Sequence, residues 1–171
     1  MALVKMIGED YPEKKDLQNL VHYMIQPDKA VHGLVGGFSL LPTGEEAIIR
    51  QMETVKEVWH KTEGRQARHF VVSFAWGERI SETEAWRLAY WIALYYADRY
   101  QIVYAVHEDT ENVHIHFVFN PVSFVDGRIY AEGKDDFSRL QAHIWLEMNT
   151  GVWRERDKKP RKFMVNGKYF F

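Results

Sequence analysis

The chain has 171 residues, a formal net charge of −2, 46% hydrophobic and 15% aromatic residues, and no cysteine. That length and apolar content fit one globular domain with a sizeable core, and the missing thiols exclude disulfides, thiolate metal sites and a cysteine nucleophile. The near-neutral charge excludes a global attraction to nucleic acid, so binding of that kind must rest on local clusters.

The start, MALVKMIGEDY, has too short an apolar stretch for a signal peptide. The longest apolar run, Leu88 to Ala97, is too short to span a bilayer, so the expectation is a cytoplasmic protein with no membrane insertion. Leu3 to Ile7 reads as a short strand. Asp16 reads as the cap of a helix that runs to about Ile25, carries Tyr23 late in its length and is ended by Pro27. VHGLVGGF, with Gly36-Gly37, reads as a flexible turn and a weak phosphate-binding signal. Thr43-Gly-Glu-Glu46 has capping-box spacing and opens a helix from about Glu45 to His60, with Ile48, Met52, Val55 and Trp59 as its stripe.

HFVVSF (His69 to Phe74) reads as a strand, followed by a turn at Gly77. A second capping box, Ser81-Glu-Thr-Glu84, starts a broadly apolar helix to about Arg99. QIVYAV (Gln101 to Val106) is strand-like, and Asp126-Gly127 in SFVDGRIY reads as a hairpin turn between two short β-like runs. Phe137, Leu140, Ile144 and Met148 give helical spacing from about Asp135 to Asn149, stopping at Gly151. The expected fold is α+β, a mainly antiparallel central sheet flanked by helices, in one domain over residues 1–171.

The chemistry concentrates in HEDTENVHIHFVFN, residues 107–120. VHIHFVFN alternates as a strand with one buried face, so Val113, Ile115, Phe117 and Phe119 point to the core and His114, His116 and Asn120 point away, with Val118 between them. The short EDTEN link folds the preceding strand back and brings His107 to the pair. Three imidazoles then meet on one divalent ion and leave coordination positions open for water or a phosphate oxygen; imidazole suits Zn, Mn, Fe, Ni and Cu, and where phosphate and water complete the shell Mn or Mg is expected and Zn is compatible. Asp109 is placed to orient a ligand imidazole or to take a proton. The competing reading is a decorated solvated face, which three of the chain's eight histidines in ten residues disfavour.

A second cluster closes the chain. Arg154, Arg156, Lys158, Lys159, Arg161 and Lys162 lie within nine residues between Trp153 and Phe163, a composition suited to single strands: cations for phosphates, rings for unstacked bases. A solvated tail is the alternative.

With RHFVVSFAWGE (Arg68 to Glu78), the HxDTxNxHxH pattern resembles the relaxases of mobilisable plasmids and integrative conjugative elements, particularly the MOBP branch of the HUH endonucleases, over roughly the whole chain. Ile115 matches the bulky residue between the paired histidines. The resemblance implies metal-dependent, strand-specific nicking of DNA at an origin of transfer by a tyrosine. A covalent 5′-phosphotyrosyl link and a free 3′-hydroxyl result, and rejoining needs no nucleotide cofactor. LQNLVHYMIQPDK (Leu17 to Lys29) resembles the family's N-terminal motif and makes Tyr23 the matching nucleophile, while Ser73 matches a position that binds DNA near the nick. Implied partners are single-stranded origin DNA, relaxosome accessory proteins and a conjugative coupling protein. Full relaxases usually continue into a longer C-terminal region, so the chain reads as a trimmed or minimal one. Two other classes remain: a phosphohydrolase in which the ion activates water and Tyr23 only packs, and a noncatalytic single-stranded nucleic-acid-binding module.

Overall fold

The computed structural model describes residues 2–8, 10–74 without the side chain of His32, 80–108, 112–151 and the backbone of 163–165 and 168–170. In chain order the elements are β1 (Ala2–Met6), α1 (Lys14–Ile25), β2 (Ala30–Phe38), α2 (Glu45–Val58), β3 (Arg68–Phe74), α3 (Glu82–Ala97), β4 (Ile102–His107), β5 (His114–Phe119), α4 (Asp136–Thr150), β6 (Phe163–Val165) and β7 (Lys168–Phe170). Five strands form one sheet in the order β1-β3-β5-β4-β2, and β6 pairs with β7. Every pairing is antiparallel, so the α+β expectation holds.

Both faces of the central strands are buried, which corrects the one-sided reading of β5. Phe70, Phe117, Phe119, Ile102 and Val106 pack with Leu88 and Ile92 of α3 and with Leu140 and Ile144 of α4. On the opposite face, Val103, Ala105 and Val118 pack with Leu17, Leu20, Val21 and Met24 of α1 and with Ile48, Ile49 and Met52 of α2. The alternation in β5 therefore separates two interiors, not core from solvent. Burying each large side chain contributes about 1.5–3 kcal/mol, which makes the middle of the sheet a rigid platform.

Local signals explain most helix ends. Ser81 accepts a hydrogen bond from the Glu84 N–H at 3.2 Å and Glu84 returns the contact to the Ser81 N–H at 3.0 Å, as the capping box predicts. Gly151, at φ 63°, ends α4 in the left-handed conformation. At α1 the cap is Glu13 and not Asp16; Asp16 sits three residues on and accepts from the Glu13 N–H at 2.9 Å. At α2 the cap is Gly44 and not Thr43. The stripe of α2 also drifts. Lys56 is buried instead of Val55 or Trp59, because its ammonium donates to the carbonyl and side-chain oxygens of Gln66 at 2.7 and 3.0 Å. Burial pushes the Lys56 ammonium down to about 8.

VHGLVGGF is strand β2 rather than a flexible turn, and it closes the sheet edge beside β4. Its glycines serve packing: a Cβ on Gly36 would stand 2.4 Å from the Tyr104 ring. Asp126-Gly127 does form a turn, with Gly127 at φ 68°, but the flanking residues make only one bridge, Val122 to Ile129, so the expected strand pair is absent there. The expected turn at Gly77 lies outside the described residues.

Candidate active site

β4 and β5 run antiparallel with His107 directly opposite His114 and Ala105 opposite His116. The three imidazoles therefore share the α1-facing side of the sheet at one end of the strands. Each offers a nitrogen, and these lie within 4.8 Å of one another. That spacing is close to the roughly 3–3.5 Å between nitrogens that share one ion, so His107, His114 and His116 are the residues that would hold it.

The hydrogen bonds decide which nitrogens can ligate. His107 donates from Nε2 to the Met24 carbonyl at 2.7 Å, and His114 donates from Nδ1 to the Asn112 carbonyl at 3.0 Å. A carbonyl only accepts, so in the neutral imidazoles the lone pair falls on His107 Nδ1 and His114 Nε2. His116 shares a 2.9 Å hydrogen bond between its Nδ1 and His69 Nε2, while its Nε2 is buried with no hydrogen-bond partner among the described residues. Burial first, and then the neighbouring imidazoles, push His116 down to about 2 and His69 down to about 4. Both are neutral near pH 7. Two backbone-oriented imidazoles and a third with a buried, unused nitrogen fit a divalent cation.

The end of α1 delivers the phenol. Pro27 cannot continue a helix, and Gln26 before it takes an extended ψ of 130°. The Met24 carbonyl, left without a helical partner, accepts the hydrogen bond from His107 Nε2–H. Tyr23, half-buried one residue earlier, lies 5.5 Å from His116 and 5.9 Å from His107 between ring centroids. The Lys29 ammonium stands 3.8 Å from the centre of the Tyr23 ring, a cation–π contact. A cleft of about 640 Å³ opens beside these groups, with Tyr11, Asn19, Tyr23, His69 and His116 in its wall.

Compared with protein families, the chain matches the relaxase family described as MobA/VirD2-like, nuclease domain, over residues 23–144, well over half its length. The chain belongs to that family. A comparison with curated proteins finds no match. Membership of the relaxases supports DNA nicking in conjugation, with endonuclease or transesterase chemistry, a divalent metal and single-stranded DNA at an origin of transfer as the ligand. Among the described residues of the relaxase, no helix is long and apolar enough to cross a membrane.

The residues singled out from the relaxase sequence fall into three groups. His107, His114, His116 and Tyr23 are brought together. Ser73 lies on β3 directly opposite His114, at the edge of the same face. Asp109 and the basic residues Arg154, Arg156, Lys158, Lys159, Arg161 and Lys162 lie outside the described residues. Sequence reasoning treated His69 only as the start of a strand and passed over Tyr11 and Lys29. The signal for His69 was its parity: it shares a face with Ser73, but only the β3–β5 register shows that this is the face of His116.

Proposed function

We propose that the chain is a relaxase domain that nicks one DNA strand at an origin of transfer through Tyr23 and holds the 5′ end covalently until it is rejoined. One observation carries the reading: in a chain of this family, the Tyr23 ring packs against two of three histidines whose ligand nitrogens converge. A tyrosine chosen for packing alone has no need of that neighbourhood. Tyr11, the other phenol of the cleft, is tilted against His69, with ring centroids 6.3 Å apart, and His69 is not one of the three converging histidines.

The Tyr23 oxygen attacks phosphorus, forming a phosphotyrosyl ester as the P–O3′ bond breaks in line, and the departing oxygen takes a proton to become a 3′-hydroxyl. Asp109 receives the phenol proton or orients a ligand imidazole. A divalent ion held by His107, His114 and His116, Mn or Mg before Zn, would polarise the scissile phosphate and offset charge on its oxygens. Lys29 places a cation beside the same phosphate. Ser73 contacts the strand near the nick, and the basic segment from about residue 153 grips DNA further along. Because the ester keeps the energy of the broken bond, attack by a 3′-hydroxyl restores the strand without a nucleotide cofactor. Accessory proteins and a coupling protein complete the assembly.

The test incubates the protein with Mn²⁺ and single-stranded origin DNA, followed by denaturing electrophoresis. A protein–DNA band that His114→Ala greatly reduces, with DNA binding retained, is expected. Multiple-turnover cleavage without a band would instead make the chain a phosphohydrolase, and binding with neither would make it a binding module.

A further inference from the structure

Two of the three converging histidines hand their second nitrogen to a backbone carbonyl, which can only accept. The third does not. His116 Nδ1 meets another imidazole, His69 Nε2, at 2.9 Å, and His69 Nδ1 meets the Tyr11 hydroxyl at 3.1 Å. His69 is 6% exposed, Tyr11 8%, and the His69 and His116 rings stack 5.1 Å apart, so the row is built into the interior. Neutral imidazole and hydroxyl each donate and accept, and the row therefore has two proton arrangements. In one, Tyr11 donates to His69, His69 donates to His116, and the remaining His116 proton sits on Nε2, where it blocks coordination. In the other, His116 Nδ1–H donates to His69 and His69 Nδ1–H donates to Tyr11, leaving the lone pair on the buried His116 Nε2.

The surroundings favour the second arrangement. The first buries an N–H on His116 Nε2 with no acceptor among the described residues. The second turns only the Tyr11 hydroxyl proton outward, and Tyr11 lines the cleft.

We propose that His69, backed by Tyr11, is a positioning residue that holds His116 in its Nδ1–H tautomer and so prepares Nε2 as a metal ligand. The inference rests on the histidine triad being a metal centre. Ligand histidines are commonly oriented by a carboxylate or a carbonyl; here a neutral imidazole does the work and sets no negative charge beside an incoming phosphate.

Two measurements on the full chain test it. In the metal-free protein, long-range ¹H–¹⁵N spectra should show His116 protonated on Nδ1, and protonation on Nε2 would overturn the proposal. Calorimetric titration with Zn²⁺ should show binding weakened about 10–100-fold by His69→Leu and by a smaller factor by Tyr11→Phe. His69→Gln should restore affinity to within a few-fold, because its side-chain oxygen reaches the place of Nε2 and accepts from His116. Wild-type affinity in His69→Leu, or equal losses in the Leu and Gln variants, would overturn it. His114→Ala separates the two levels. If it binds Zn²⁺ as the wild type does, the metal-centre reading falls and this one with it; if it loses Zn²⁺ while His69→Leu does not, only the role of His69 falls.

Discussion

Backbone carbonyls at Met24 and Asn112 decide which nitrogen of His107 and of His114 keeps its lone pair, so much of the candidate centre's chemistry is written in main-chain geometry. A His114→Ala variant should keep the strand, since that position is only half-buried, but removes one of the three candidate ligands. It should weaken Zn²⁺ binding by more than the roughly 10–100-fold typical of losing an outer partner, measured by calorimetry. The buried imidazoles also make the metal-free fold sensitive to acid. His69 and His116 bind their protons in the unfolded chain near 6.5, whereas the folded chain holds them down to about 4 and about 2. Below 6.5 the unfolded state therefore takes up more protons than the native one, and stability is fully present above that pH. Between 6.5 and 4 it should fall by up to about 1.4 kcal/mol per pH unit for each histidine. Chemical denaturation of the metal-free protein at pH 7.5, 6 and 5 measures this, and an unchanged midpoint would contradict it.

At the scale of elements, β2 shows what a pattern of glycines conceals. Its bulged pairing with β4 and the lodging of the Tyr104 ring against Gly36 are long-range facts, 68 positions apart, and VHGLVGGF read locally offers only flexibility. Gly36→Ala forces a methyl into that buried ring and should cost about 1–3 kcal/mol in denaturant unfolding. Gly8→Ala, which meets nothing within 4 Å, serves as the control and should change stability by no more than about 0.5 kcal/mol. Legibility followed the same division. Ser81 and Glu84, Pro27 and Gly151 mark their helix ends through contacts a few residues long. Lys56 escaped the stripe of α2 because its burial depends on Gln66, ten residues away and beyond the helix. The convergence of His107, His114 and His116 was readable because a short link fixes which strands pair, while His69 needed the register of a third strand.

Across the whole molecule, two helical layers seal a five-stranded sheet, and the histidines sit on the α1 and α2 side beside an open cleft. The net charge of −2 includes a C-terminal stretch, residues 153–171, with seven basic and two acidic side chains, so the body of residues 1–152 carries a net −7 and affinity for DNA should depend on the basic segment. Replacing Arg154, Arg156, Lys158 and Lys159 by Gln should weaken single-strand binding and flatten its salt dependence, read by fluorescence anisotropy across ionic strengths, with Zn²⁺ affinity unchanged. Such a result separates the grip on DNA from the chemistry, which we assign to Tyr23. Trypsin isolates that residue: the peptide from Asp16 to Lys29 contains a single tyrosine and neither serine nor threonine. The most direct measurement is mass spectrometry of the protein after reaction with Mn²⁺ and origin DNA, then nuclease and trypsin digestion. A phosphonucleotide on the Asp16–Lys29 peptide, and none in Tyr23→Phe, is the expected result. A phosphonucleotide on another peptide, such as the one carrying Tyr11, or nicked DNA with no modified peptide, would contradict it.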